Sequence, residues 1–453
     1  MKSIRVGCGS GFWGDALDPA VKIAEDGNVS YLCFDHLAEL TMALLHRQKA
    51  KNPAYGYCPD IVPWFEKLLP ICQKNNIKMI TNGGGANPKA AAEAIKAMCD
   101  KNNIHGIKLG LVTGDDLTDK LDEIRASGVK LTNTDTGEED IDRVKDKIVA
   151  AYAYMGCEGI NDALAQGCDH VITGRVSDIS LYVAPMMHEF GWDFSEKYNN
   201  KIGGAVTAGH IIECACACTG GLSNQWKYAK DNWNIGFPIV EMDESGNAFI
   251  TKTDGTGGIV NEWTVKEHLV YEVIDPNNYI MPDGIANFTS VHLHDEKNDK
   301  VRLTDMTGKG RPDMLKVCIG VEEGYMFDSM LIFPWPDAYE KAKRGKQIFE
   351  ERVRMSGINP LEVRCDFIGV NTLHGTTAPE PSYDMNEVGL RIAVKTKTAA
   401  EAEILRREVT HIWTFGPIGS STGSPGKAHK VVGLWPTLVP REFVVPKLEI
   451  MEV

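Results

Sequence analysis

The sequence predicts an α/β fold with an N-terminal, mostly parallel, doubly wound sheet over 1–235 and a C-terminal α+β domain over 236–453. Three observations carry this expectation. Short apolar runs alternate with helical patterns through the first half, which is the signature of βαβ units and right-handed crossovers. About five such units can be counted, too few for a closed eight-unit barrel. After residue 235 the rhythm changes to hairpins followed by helices. No Pro/Gly/Ser-rich linker marks the boundary.

Each element has a local reason. Ile4–Cys8 reads as a first strand, and Asp18-Pro19 opens a helix with Asp18 as N-cap and Pro19 at the first helical position. Residues 31–34 form the second strand, followed by helical patterns over 37–45 and 61–72. The strand 77–80 runs into Asn82-Gly83-Gly84-Gly85, and Asn87-Pro88 caps an alanine-rich helix. A strand over 107–112 ends at Thr113-Gly114-Asp115-Asp116. Helical stretches are expected at 143–154 and 160–165, then a fifth strand at 170–174. GAVTAGHIIECACAC, from Gly204, reads as a buried helix of small residues. Strands at 237–240 and 248–251 flank the turn Asp243-Glu244-Ser245-Gly246. Later strands are expected near 291 and 301 and over 314–321, 324–333, 363–370 and 387–395. Charged or long helices fall at 338–355 and 399–413.

The 453 residues carry 48 Lys+Arg against 62 Asp+Glu, a net charge of −14. Without a basic run, this balance argues against nucleic acid and anionic membrane surfaces as partners. No segment approaches ~18 consecutive apolar residues, and the N-terminus lacks the pattern of a signal peptide. The 12 cysteines are scattered through apolar patterns and read as reduced and buried. A cytoplasmic location follows as the expectation.

In an open parallel sheet, ligands bind beyond the carboxyl ends of the strands. The loops there carry Gly7, Gly9, Gly11, then Asp35-His36, Asn82 with Gly83, Gly84 and Gly85, Gly114 with Asp115 and Asp116, and Gly174-Arg175-Val176-Ser177-Asp178. Glycine lets backbone approach a ligand, and free amides at helix starts hold anions. These loops are the expected substrate- or anion-binding rim, joined by Gly255, Thr256, Gly257 and Gly258, a second Gly-rich loop before a helical run. Gly7-x-Gly9-x-Gly11 is not a dinucleotide fingerprint, because G-x-G-x-x-G needs glycine where Phe12 stands, and no phosphate loop occurs.

Glu39 lies one helical turn from Asp35, so the two either share a site or serve as helix cap and dipole charge. Arg175 can fork onto a carboxylate or phosphate, with Asp178 as base, or form a structural salt bridge. His210 and Glu213 stand i, i+3 on an apolar helix and either bond each other or line a site. One such pair is half of a di-metal motif, so no metal is assigned. Cys214, Cys216 and Cys218 point to different faces of a helix and read as packing. The run 416–426 can be a lid, a partner-binding loop or a connection.

Several stretches together resemble the acyclic terpene utilisation family, the AtuA-type core domain, over nearly the whole chain. They are "GSGFWGDALDPAVKIAE", "YLCFDHLAELTMA", "MITNGGGANPKAAAEA", "VTGDDL", "VITGRVSDISLYVAPMMHEFGW", "GHIIECACACTGG", "DGTGGIVNEWTVKEHLVYEVIDP" and "GVNTLHG". The chain departs from the usual pattern at Asp35-His36, where Glu followed by a small residue is commoner. The resemblance implies catabolism of branched, isoprenoid-like acids and their thioesters, and a small ferredoxin-like companion protein as partner in a homo- or hetero-oligomer. Combined with the rim residues, it gives a lyase- or hydratase-type enzyme acting on a branched or unsaturated carboxylate or its acyl-CoA thioester. On that expectation Arg175 anchors the anion and Asp178, Glu39 or His210 moves the proton, with Glu213 in the same catalytic group. The alternative is a non-catalytic subunit that binds acyl-CoA or a small acid; a nucleotide-dependent enzyme comes third. The cofactor is left unknown.

Overall fold

All five apolar runs expected as strands in the first half form strands in the computed structural model, which describes residues 2–422 and 426–453. They are β1 (Ser3–Ser10), β2 (Tyr31–Phe34), β3 (Lys78–Thr81), β4 (Lys108–Thr113) and, after the intervening β5 (Ile148–Ala153), β6 (His170–Thr173). These five pair in parallel in the order β1-β2-β3-β6-β4. Val6, Leu32, Ile80, Leu109 and Val171 are fully buried, as strands covered on both faces require.

The fold is mixed α/β, and the sheet is larger and more mixed than expected. β7 (Pro238–Asp243) and β8 (Ala248–Lys252) form the expected hairpin, but β7 pairs antiparallel with β1, so the hairpin extends the first sheet. The sheet grows further through β12 (Val301–Thr304) and β11 (His292–Asp295), and β19 (Lys447–Glu452) closes the other edge against β4. Ten strands result, with only the central five parallel. By compactness the chain divides into one unit of Met1–Gly320 with Leu434–Val453, and a second of Val321–Gly433. Residue 235 lies inside the first unit.

In the first unit the helices are α1 (Asp18–Asp26), α2 (Glu39–Lys51), α3 (Ile61–Asn75), α4 (Pro88–Asn102), α5 (Leu121–Ala126), α6 (Glu158–Ala165), α7 (Ser180–Phe190), α8 (Asn199–Glu213) and α9 (Glu262–Leu269). Asn87 caps α4 through Oδ1, which accepts from the Ala90 amide at 3.4 Å. Asp18 is not a cap: it is the first residue of α1, and Leu17 stands at the N-cap without a side-chain bond. The expected helix over 143–154 is corrected to a 3₁₀ turn and β5. Ile148, Val149 and Tyr152 favour extended chain, and pairing with β14 (Met314–Pro334) supplies the hydrogen bonds. The three cysteines lie beyond α8, at its C-cap and in a 3₁₀ turn, rather than along the helix. Their turn breaks the helical period on which the packing argument rested.

α8 is buried from Ile202 to Glu213. It packs on a small antiparallel sheet of β13 (Thr307–Lys309), β10 (Gly284–Asn287) and β9 (Tyr279–Met281). A Cβ at Gly203 would lie 2.6 Å from the Gly308 Cα, so the helix and sheet touch backbone to backbone.

The strands expected at 314–321 and 324–333 are one strand, β14, which begins in the first unit, enters the second at Val321 and passes through Gly324 at φ +108°. β15 (Glu362–Ile368), β16 (Glu387–Thr396), β14 and β17 (Ser421–Thr422) run antiparallel in that order, and β18 (His429–Pro440) also pairs with β14. α10 (Ala338–Ser356) and α11 (Ala399–Phe415) match the expected helices. Phe333, Phe349, Leu390, Leu405 and Ile412 centre the core of this unit. Of the loop 416–426, residues 423–425 lie outside the described residues.

Candidate active site

Because β1, β2, β3, β4 and β6 are parallel, their following loops share one edge of the sheet. Asp35 leaves β2 and is 5% exposed. Its Oδ1 accepts from the Leu37 amide at 3.3 Å and from Asn82 Nδ2, while Asn82 Oδ1 accepts from the His36 amide at 2.8 Å. Ser10, at the end of β1, donates Oγ–H to the Asp35 carbonyl at 2.8 Å. Three strand ends thus fix one carboxylate.

Arg175 follows β6. Its amide donates to Asp115 Oδ2 at 2.7 Å. A Cβ at Gly174 would sit 2.4 Å from Asp115 Oδ1, so a larger residue there would push that carboxylate aside. The buried guanidinium lies 4.1 Å from the Tyr154 ring centroid and donates Nη1–H to the Leu37 carbonyl, while Nε has no acceptor. Asp178 Oδ1 accepts from the Ile179 amide at 2.8 Å and from Ser177 Oγ at 3.1 Å.

Glu213 arrives from the other direction, at the last turn of α8. One ligand oxygen each from Asp35, Asp178 and Glu213 lies within 4.8 Å of the others. Asp178 is the least buried of the three. Burial first, and then the Asp178 charge, pushes Asp35 up to about 7, with Arg175 and Asn82 pulling the other way. The same two causes push Glu213 well above the usual carboxylate range. Arg175 stays charged: burial opposes its charge, but Tyr154, Asp35, Asp178 and Glu39 outweigh burial. Burial also opposes ionisation of Glu39, yet its own amide, Lys316 and Arg175 bring it down to about 2.

Behind Glu213 sits a stack of rings. His210 Nδ1 and the Tyr279 hydroxyl are 3.2 Å apart, and the His210 ring stacks on His268 at 5.4 Å and on Phe288 at 5.1 Å. Burial lowers His210 to about 3 and His268 to about 4, so both are neutral near pH 7. His268 Nε2 is 3.7 Å from Glu213 Oε1, and Cys214 Sγ is 3.2 Å from both Glu213 oxygens.

A model of the acyclic terpene utilisation family protein AtuA matches residues 4–450. The chain belongs to the AtuA family. No curated protein and no solved structure matches it. The stretches that carried the resemblance to AtuA supply Asp35, Asn82, Arg175, Asp178, His210 and Glu213.

Other expected residues of this AtuA chain stand differently. Glu39 is half exposed and bridges to Lys316 at 3.1 Å. Asp115 is buried and orients the Arg175 amide, and burial pushes it up to about 7. Asp116 Oδ1 accepts from the Thr118 amide on an exposed turn. Gly83 and Gly85 spend their amides on Thr81 Oγ1 and the Asn82 carbonyl. Gly84 and Gly114 permit close packing: a Cβ would lie 2.5 Å from the Thr173 oxygen and 2.2 Å from the Val445 oxygen, respectively. In the second Gly-rich loop, Gly255 has φ +75°, and the amides of Thr256, Gly257 and Gly258 go to the carbonyls of Thr253, Asn234 and Lys230. Those amides are not free for an anion.

Tyr154, His268 and Tyr279 escaped the sequence reading. Tyr154 follows β5, which was read as helix. His268 had a signal: Val265, His268 and Leu269 form the buried face of α9 at i, i+3, i+4. An apolar cavity of about 610 Å³ lies at the far end of α2, lined by Tyr55, Tyr57, Pro59 and Val62 among others; its lining includes none of the carboxylate cluster.

Among the described residues, no helix is long and apolar enough to cross a membrane.

Proposed function

We propose that this AtuA-family chain is a catabolic enzyme acting on a branched or unsaturated carboxylate or its acyl-CoA thioester by lyase- or hydratase-type proton transfer. One observation carries the reading: Asp35, Asp178 and Glu213 close to within 4.8 Å beside the buried Arg175. Like charges this close hold protons that a lone surface carboxylate would lose, which provides an acid and a base at one pH.

In this reading Arg175 Nε–H, which has no protein acceptor, holds the substrate carboxylate or thioester oxygen. Charge that builds on that oxygen as the α-proton leaves is stabilised by the guanidinium. Asp178, the most accessible of the three, takes the α-proton. Asp35 carries its hydrogen bonds on Oδ1, which leaves Oδ2 to deliver a proton to the departing β-hydroxyl. The C–O bond breaks, a C=C bond forms and water leaves; hydration is the same path reversed. Burial and the neighbouring Asp178 charge favour the protonated form of Asp35.

The test is steady-state turnover of branched 2-enoyl-CoA thioesters and their free acids by the wild type and Asp178→Asn. Removal of a positioned base is expected to cost roughly 10²–10⁴ in kcat. A folded Asp178→Asn protein with full turnover overturns the reading, and so does a wild-type chain that binds these thioesters without converting them.

A further inference from the structure

We infer that Glu213, Cys214 and His268 form a three-ligand site for a zinc-class divalent cation. One ligand atom from each lies within 4.8 Å of the others. Glu213 Oε1 is 3.2 Å from Cys214 Sγ and 3.7 Å from His268 Nε2. Zinc bonds of about 2.0–2.1 Å to N and O and about 2.3 Å to S place neighbouring ligands of a tetrahedron roughly 3.3–3.6 Å apart. The two edges at Glu213 Oε1 fall on either side of that spacing, and the third, between Cys214 and His268, is within 4.8 Å.

A second observation points the same way. His268 Nε2 is buried, 3% of its side chain being exposed, and has no hydrogen-bond partner, although it faces Glu213. A buried imidazole nitrogen without a partner is costly, and a metal ion satisfies it as a hydrogen bond would. The elements that present it are fixed. Asn261 caps α9 by accepting from the Trp263 and Thr264 amides at 2.9 and 3.0 Å, and the His210 ring stacks on His268. Cys214 is held at the C-cap of α8, and Gly11 lets the β1 loop pass, since a Cβ there would be 3.0 Å from the Cys214 carbonyl carbon.

One nitrogen, one sulfur and one oxygen suit zinc or cobalt over magnesium or calcium, which prefer all-oxygen shells. Three protein ligands leave a fourth position for water or a substrate oxygen, as in catalytic zinc sites. Asp35 and Asp178, within 4.8 Å of Glu213, border it. The inference shares Glu213 with the proton-transfer reading but does not depend on it, and its readout is metal content.

The experiment is metal analysis of the full chain, loaded with zinc and dialysed against a weak chelator, beside Cys214→Ser and His268→Gln. About one zinc per wild-type chain is expected, with affinity lower by roughly tenfold or more in each variant. Cobalt loading of the wild type serves as a check that needs no variant: a thiolate-to-cobalt charge-transfer band is expected. Asp178→Asn is expected to lose turnover but keep its zinc. Absence of bound zinc and of the cobalt band overturns the site. Manganese or magnesium held equally by the wild type and both variants also overturns it, in favour of the carboxylates alone. Loss of zinc in Asp178→Asn overturns this choice of ligands.

Discussion

Arg175 is the arginine whose charge acts on Asp35, Asp178 and Glu213, and its fork matters as much as its charge. Nη1 is committed to the Leu37 carbonyl and the guanidinium lies over the Tyr154 ring, while Nε is buried without an acceptor. Lysine keeps the charge but has neither the fork nor the plane. Arg175→Lys is therefore expected to fold and to lose roughly 10² in kcat/KM, measured by steady-state kinetics beside a thermal melt. Unchanged kinetics would reduce Arg175 to a counter-charge. Asp115 tests burial separately. Its folded value of about 7 stands above its ordinary 3.8, so the folded chain holds a proton that the unfolded chain has released. That contribution to stability is complete below about pH 4 and is lost as pH rises to 7, with a slope approaching 1.4 kcal/mol per pH unit. Asp115→Asn, titrated by denaturant unfolding from pH 4 to 8, is expected to flatten this slope. An unchanged slope contradicts the burial argument.

The site depends on elements that meet at close range. α8 reaches β13 through Gly203, where added carbon would strike the Gly308 Cα at 2.6 Å and the Thr307 oxygen at 2.7 Å. Backbone cannot swing aside as a side chain does, so Gly203→Ala is expected to cost roughly 1–3 kcal/mol, read by urea unfolding. A neutral substitution would show that the helix is not seated on that sheet. How much of this was legible depends on how local each signal is. The parallel strands were readable because Ile4–Cys8, Tyr31–Phe34 and His170–Thr173 are short, mostly apolar runs bounded by turn residues. Asp35, Arg175 and Asp178 were readable because strand ends in a parallel sheet converge. β5 was not, because its extended form is set by pairing with β14, far along the chain. His268 was not either. Its partner Glu213 is brought to it by the packing of α9 on α8, which no short-range spacing records. The loop 255–258 reads as an anion loop because sequence cannot show that the amides of Thr256, Gly257 and Gly258 already have carbonyl partners.

At the scale of the molecule, the net charge of −14 opposes an anionic substrate until it reaches Arg175. Salt screens that approach over a Debye length of about 10 Å at 0.1 M, while the buried contact itself is little affected. KM for a carboxylate or acyl-CoA substrate is thus expected to fall as salt rises from a few millimolar toward about 0.1 M. A rising KM would mean that the local positive charge dominates the approach. The charge balance and the Gly-rich strand ends describe two ranges of one problem: a repulsive surface and a short-range cluster that must hold an anion against it. On the proposed function, this cluster moves a proton at the carbon next to a carboxyl or thioester group. Solvent exchange reports on that step when branched acyl-CoA thioesters are incubated with the protein in D₂O and the α-position is read by mass spectrometry. The wild type is expected to introduce deuterium at the α-carbon, and folded Asp178→Asn to introduce it at roughly 10²-fold lower rate or less. Equal exchange by the two proteins, or none by the wild type, would mean that Asp178 is not the base.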